Sequence, residues 1–247
     1  MEETMKEQVP TSRGLEDISH YFLSDKEEQE PPQKAESVVV RKNLFLLGAS
    51  SKEGRAVLAS NLACEWGLNN KEVELIEEES RPANAHFLLG ESSELVSLTP
   101  WKEGWVWDGG KAEWRVWNIG LEGALKMITD QTVSPICVLL LEEETKKLIQ
   151  AYGEMRKVLS VRPDAVFYAV RYSNQTAEKS QNIFDFFQRT ARKFLNIEIR
   201  DGGQIVKDVN LAKSILRRTP IVLFSEEGIA TKNTLKNLAQ TLTHKRS

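Results

Sequence analysis

The stretch NLFLLGASSKEGRAVLASNLA, residues 43–63, decides how the rest of the chain is read. Leu44, Phe45, Leu46 and Leu47 form a short apolar run that ends in Gly48 and a polar loop reaching Gly54. A helical pattern starts at Arg55, with Val57, Leu58, Leu62 and Ala63 on roughly one face. Strand, glycine-containing loop, helix is the layout of a phosphate-binding loop, in which backbone N–H groups and the positive end of the helix hold an anion. The layout is present, but the side chains at its working positions are unusual for that chemistry.

On both sides of this stretch, strand and helix patterns alternate. Residues 37–47 read as the first strand, opened by the β-branched Val38, Val39 and Val40. After the helix at 55–68, VELI at 73–76 is a second strand that runs into Glu77, Glu78 and Glu79, and 80–90 is a loop with a short helical turn. Five of the six tryptophans fall between 101 and 117, and GWVWDGGKAEWRVW at 104–117 alternates about Asp108-Gly109-Gly110 as a β-hairpin does. Its tryptophans read as cross-strand packing or an interface patch, with aromatic ligand binding as the other reading. Helices are expected near 121–130, 142–159, 177–195, 208–216 and 230–242, strands at 136–141, 165–170 and 197–199, and a brief apolar segment at 221–224. Such alternation predicts an α/β fold, a mostly parallel β-sheet with helices on both faces.

Residues 1–37 differ in character: rich in Glu, Lys, Gln and Pro, they predict a mostly disordered tail ahead of a domain spanning 38–243. One island, GLEDISHYFLS at 14–24, spaces Leu15, Ile18, Tyr21 and Phe22 as a short amphipathic helix. It docks either on its own domain or in a partner's groove. At 247 residues, with 40% hydrophobic and 28% charged residues, the chain has the size and make-up of one large soluble α/β domain plus a tail. A net charge of −3 gives no basic surplus for nucleic acid. With neither a signal pattern nor an apolar run near the roughly 20 residues that span a bilayer, the cytoplasm is the expected location. Cys64 and Cys137 sit in apolar patterns and read as buried thiols, and His20, His86 and His244 lack partners at metal-ligand spacing.

Several stretches together resemble the MinD/ParA group of P-loop ATPases and, within it, the FlhG (FleN, YlxH) type of flagellar-number regulator. The family's loop KGGxGKT[ST] and a helix like VAANLA correspond to SSKEGRAV at 50–57 and VLASNLA at 57–63. Its strand VLLIDADLGLANxHxLLG corresponds to VELIEEESRPANAHFLLG at 73–90, and its later segments to IVKDVNLAKSILRRTPIVLF at 205–224 and LKNLAQTL at 235–242. The similarity runs in order from residue 38 to 242, and ANAHFLLG is its most particular match.

The departures fall on positions to which the resemblance assigns chemistry. Arg55 stands for the phosphate-binding lysine, Ala56 for the Mg²⁺-binding hydroxyl and Ser50 for the second lysine, while Ser51 and Lys52 replace loop glycines and leave Gly54. Glycine matters there because a Cβ intrudes on a phosphate, and the metal needs an oxygen that alanine lacks. Glu77 stands for the aspartate that orients the attacking water, Asn118 for a metal-assisting aspartate, and Arg171 for an adenine-reading asparagine. Phosphoryl transfer rests on positioning and charge neutralisation, so the resemblance with these changes implies a pseudo-ATPase with no cofactor. The implied role is a regulatory or scaffolding protein in a bacterial polar, flagellar or envelope-associated assembly. Its implied partners are a MinD/ParA homologue or a flagellar SRP-type GTPase, with homodimerisation as a further option and without a direct membrane anchor. The alternative is a divergent ATPase that still binds or slowly hydrolyses ATP with Mg²⁺, using Lys52, Arg55 and Glu77.

Overall fold

The computed structural model describes residues 42–48, 52–78, 84–101, 112–129, 135–224 and 229–244. The expected tail at 1–37, with Leu15, Ile18, Tyr21 and Phe22, lies outside these residues, as do Ser50, Ser51 and the side chain of Lys52.

The described strands are β1 (Lys42–Leu47), β2 (Val73–Glu78), β3 (Ser97–Trp101), β4 (Trp114–Asn118), β5 (Ile136–Leu141), β6 (Val166–Ser173) and β7 (Ile199–Val206). They form a seven-stranded sheet in the order β3-β2-β4-β1-β5-β6-β7, and every pairing is parallel. The helices are α1 (Lys52–Leu68), α2 (Ala85–Leu89), α3 (Leu121–Thr129), α4 (Thr145–Val161), α5 (Ala177–Leu195), α6 (Val209–Leu216) and α7 (Ile229–His244). Short 3-10 turns occupy Gly90–Leu95 and Ile221–Leu223.

Two cores follow from the period of two along the strands. Leu44 and Leu46 of β1 face α1, α2, α6 and α7, through Leu58, Leu62, Leu88, Leu211, Leu235 and Leu238. Phe45 and Leu47 face the other way onto α3, α4 and α5, through Ile128, Met155, Val158, Phe184 and Phe187. β5 and the Leu44–Leu47 part of β1 are fully buried, which is why both read as unbroken apolar runs rather than alternating ones.

Two elements differ from expectation, and one expectation falls largely outside the described residues. The expected hairpin at 104–117 has its first arm and its turn outside the described residues; its second arm ends in β4, which pairs in parallel with β1 and β2. Trp114 and Trp117 are buried core residues of the parallel sheet. Trp114 stacks on Trp66 of α1, centroids 4.1 Å apart, and Trp117 stacks on Phe45 at 5.6 Å on the opposite face. Helix α1 begins at Lys52, three residues before the apolar periodicity starts, with the acidic Glu53 in its first turn at the positive end of the dipole. Strand β7 runs for eight residues rather than three, because Gly202 and Gly203 continue it. Gly203 takes φ +90°, and a Cβ on Gly202 would stand 2.8 Å from Val170. The register between β6 and β7 shifts there, so the two glycines mark a bulge and close approach instead of a loop.

Candidate functional site

The chain leaves β1 toward α1 on one side of the sheet and leaves β5 toward α4 on the other. The carboxyl ends of these neighbouring strands therefore flank the topological switch point, where open α/β sheets bind their ligands. Gly48 stands at this point with φ +111°, and a Cβ there would press to 2.7 Å from the Leu140 carbonyl oxygen. A Cβ on Gly54 would stand 2.7 Å from Leu140 Cδ2 and 3.0 Å from the Tyr172 ring. Gly48 is thus required by its backbone conformation and its contact with β5, whatever ligand the loop meets, while Gly54 lies tight against side chains of β5 and β6.

From the start of α1, Arg55 is partly buried and its Nη1 donates to the Ile119 carbonyl at 3.4 Å, joining α1 to the segment after β4. Ala56 is fully buried in the core and offers no oxygen. Across the crevice, Glu77 at the end of β2 is 7% exposed and already engaged. Its Oε1 accepts from the Ala85 amide at 2.8 Å and from Asn118 Nδ2 at 2.6 Å, while Oε2 accepts from the His86 amide at 3.0 Å. Glu78 Oε1 accepts from the Gly120 amide at 2.5 Å. The methylene that distinguishes glutamate from aspartate lets Glu77 reach the first amides of α2, so this carboxylate fastens α2 to the sheet. Asn118 Oδ1 is buried with no hydrogen-bond partner among the described residues, an acceptor left over once the amide nitrogen serves Glu77.

Arg171 does not face α1. It shares a face of β6 with Phe167 and Ala169, lies 5.4 Å from the Phe184 ring centroid of α5, and pairs with Asp201 at 3.0 Å. The alternation of β6 instead gives its neighbour, Tyr172, to the α1 side. There a cleft of about 250 Å³ is lined by Glu53, Tyr172, Lys207, Asp208, Leu211 and Ile215. Lys207 Nζ sits 4.2 Å from the Tyr172 ring centroid and 3.1 Å from Glu142 Oε2, which Lys147 also reaches at 2.7 Å. Asp208 caps α6 by accepting from the amides of Asn210 and Leu211. The sequence reading did not single out Tyr172, Lys207, Glu142 or Glu154 as site residues; the period of two in β6 was the available signal for Tyr172.

Beside the cleft, Glu143 accepts from Ser173 Oγ and from Gln175 Nε2 at 2.9 Å. The Ser173 hydroxyl, foremost, and then the Gln175 amide, the Asn174 backbone and the Lys207 charge hold its carboxyl below the usual range, against the opposing effect of burial. A depressed folded pKa means the unfolded chain binds the proton more readily, so this contribution is present above the ordinary carboxylate pKa and fades as pH falls through the folded value. Ser173→Ala is expected to lower the melting temperature by a constant amount above about pH 5–6 and by progressively less below about pH 4, measured by thermal denaturation across that range. Cys64 and Cys137 lie buried; burial first and Glu65 second push the Cys64 thiol up to about 12, so it is not nucleophilic near neutrality.

Among the described residues, no three His, Cys, Asp or Glu side chains are arranged to hold a metal, and no helix is long and apolar enough to cross a membrane. A Mg²⁺ ion held directly by side chains at positions 56 and 77 does not fit: alanine has no ligand atom, and the Glu77 oxygens serve backbone amides. Among the described residues, the features whose chemistry suits a nucleotide's phosphates are the Arg55 guanidinium and the first turn of α1.

Solved structures with the same architecture decide the fold. MinD from Aquifex aeolicus superposes with a TM-score of 0.61 at 14% identity, over 83% of this chain and 98% of that one. MinD from Pyrococcus horikoshii OT3 superposes at 0.59 and 14% identity, over 83% and 96% of the two chains. The chain has the MinD/ParA fold. A putative plasmid partition protein from Borrelia burgdorferi B31 shares it as well, at TM-score 0.54 and 11% identity over 82% of this chain and 98% of that one. No protein-family model and no curated protein matches the sequence. The Pyrococcus horikoshii MinD is complexed with Mg-ADP and the Borrelia protein is bound to AMPPNP. These structures correct the expectation of no cofactor: in them, the MinD/ParA fold holds nucleotide, and in the former Mg²⁺ with it.

Proposed function

We propose that this chain is a MinD/ParA-like, FlhG-type regulatory or scaffolding protein that takes a nucleotide at the switch point and does not turn it over. The observation that carries the reading is the engagement of Glu77. Where the resemblance assigns an aspartate free to orient water, this carboxylate is committed to the amides of Ala85 and His86 and to Asn118. Hydrolysis asks for a group that positions the attacking water and for neutralisation of charge on the transferred phosphoryl. Glu77 is unavailable for the first, and Ala56 contributes nothing to the second. Arg55 and the N-terminus of α1 supply binding charge, and the phosphates carry their own Mg²⁺.

Without turnover, the function lies in what the protein contacts. A neighbour of the same fold from Aquifex aeolicus was solved as a MinC:MinD complex, which supports a protein partner for this chain too. The proposed assembly is bacterial and polar, flagellar or envelope-associated, with a MinD/ParA homologue or a flagellar SRP-type GTPase as partner and Leu15, Ile18, Tyr21 and Phe22 as the docking element. Calorimetry with Mg-nucleotide should detect binding, while phosphate release from Mg-ATP stays at the level of a protein-free control. Sustained release above that control overturns the inactive reading. Affinity capture from the native cell with the full chain and with a chain lacking residues 1–30 tests the docking element, and equal capture removes it from the proposal.

A further inference from the structure

We infer that the outer face of α4 and α5 docks on an anionic lipid bilayer, as a peripheral contact of the folded domain without an inserted anchor. α4 links β5 to β6 and α5 links β6 to β7, both over the core built on Phe45 and Leu47. The two helices therefore run the same way, side by side. α4 turns Ala151, Met155 and Val158 inward, and α5 turns Phe184, Phe187 and Ala191 inward. On the opposite side, at helical spacing, stand Lys146, Ile149 and Lys157 of α4 and Phe186, Arg189 and Lys193 of α5, all exposed.

The charge on this face has one sign. The one acid within α4 is Glu154, which is buried and accepts from the Gly48 amide at 2.7 Å, so every exposed charge of that helix is positive. On α5 the exposed charges are Lys179, Arg189, Arg192 and Lys193 against Glu178, with Asp185 half-buried. Acids at the margins are matched by other bases: Glu144 by Lys147, Asp164 by Arg162 and Glu198 by Arg192. Among the described residues, none of Lys146, Arg156, Lys157, Lys179, Arg189 and Lys193 pairs with a carboxylate. The neighbouring α3 exposes both Glu122 and Lys126, so the surplus is confined to α4 and α5. Cations left without partners inside the domain are available to anions outside it, and an anionic leaflet attracts each of them.

The apolar side chains on the same face choose among anionic partners. Ile149 is 66% exposed, Phe186 59% and Phe194 65%. Ile149 stands between Lys146 and Lys157, Phe186 between Lys179 and Arg189, and the Phe194 ring centroid is 5.2 Å from Lys193 Nζ. Exposed apolar groups set among lysines and arginines suit a membrane interface: they enter the boundary between headgroups and acyl chains while the long basic side chains reach the phosphates. A nucleic-acid backbone would satisfy the cations and leave the apolar groups in water. An acidic peptide covers one strip, whereas the α5 row from Lys179 to Lys193 runs for about 21 Å beside a second row on α4. A bilayer surface meets both rows and both kinds of side chain at once.

The test is sedimentation of the full chain with vesicles of pure phosphatidylcholine and with vesicles in which about a third of the lipid is phosphatidylglycerol. The wild type is expected to bind the anionic vesicles and not the neutral ones, and to be released by high salt. Lys157→Glu combined with Lys193→Glu should weaken binding about tenfold or more, and Phe186→Ser about threefold. All three positions are exposed, and circular dichroism checks that the fold is kept. Should the charge-reversed protein fail to fold, Phe186→Ser and the salt dependence of the wild type decide. Equal binding to the two kinds of vesicle, binding that survives high salt, or variants that bind as the wild type does overturn the inference. Capture of duplex DNA or of polyglutamate through Lys157 and Lys193, without capture of vesicles, gives the face to another class of partner and also overturns it.

Discussion

Replacing Trp114 with alanine lowers folding stability by about 3–5 kcal/mol, the range for deleting a large buried aromatic. Trp114 is fully buried and stacks on Trp66 at an interplanar angle of 18°, and Trp66 Nε1 in turn donates to the Ala239 carbonyl of α7 at 3.2 Å. One side chain of β4 therefore holds α1, and through it α7, against the sheet. Lys42 adds to the same junction, its Nζ 4.9 Å from the Trp114 ring centroid and 2.9 Å from the Thr243 carbonyl. Trp114→Phe is expected to cost much less, because it keeps an aromatic surface and also removes an indole N–H that is buried without an acceptor among the described residues. Urea denaturation of the two variants measures both effects. A loss below about 1 kcal/mol for the alanine variant contradicts the packing role.

Removing the Glu77 carboxylate has the second large effect. Glu77→Ala takes away an acceptor that serves two backbone amides and one side-chain amide in a buried setting, at a cost of about 2–4 kcal/mol. The loss is local before it is global: amide exchange in residues 85–89 should accelerate at denaturant concentrations where the sheet is still protected. Glu77→Asp separates reach from charge. It restores the carboxylate that the resemblance assigns to this position but shortens the arm, so exchange in α2 should again accelerate although the charge remains. Unchanged exchange in both variants would mean that α2 is held by its apolar contacts alone, and the central observation behind the inactive reading would lose its force.

Much of the fold was legible because long elements announce themselves in physical terms. The unbroken apolar run of β5 appears where expected, and α5 runs from Ala177 to Leu195 with Phe184 and Phe187 turned inward. Within the Trp segment, alternation marked the strand at Trp114–Asn118 but not its neighbours β1 and β2, which come from earlier in the chain. Local pattern reports the period of a strand and is silent about its neighbour. The end of β7 was missed because Gly202-Gly203 carries the signature of a turn, and only the contact with β6 makes it a bulge.

The site divides in the same way. Arg55, Ala56 and Glu77 could be placed by register with a resembling sequence. What Glu77 does could not, since its partners at Ala85, His86 and Asn118 come from other elements. Glu154 is an ordinary acidic residue on a helix until α4 is laid against the end of β1.

The central position of β1 bears on how the chain is made. Its two hydrogen-bonded neighbours, β4 and β5, are complete only at Asn118 and Leu141. During synthesis at roughly 5–20 residues per second, the Leu-Phe-Leu-Leu segment waits on the order of 5–20 seconds for its second neighbour. For that interval a strand destined for the middle of the sheet is an unpaired apolar edge, the kind of segment that chaperones and neighbouring nascent chains capture. Yield of this protein should therefore respond to elongation rate and chaperone supply more than its final stability suggests.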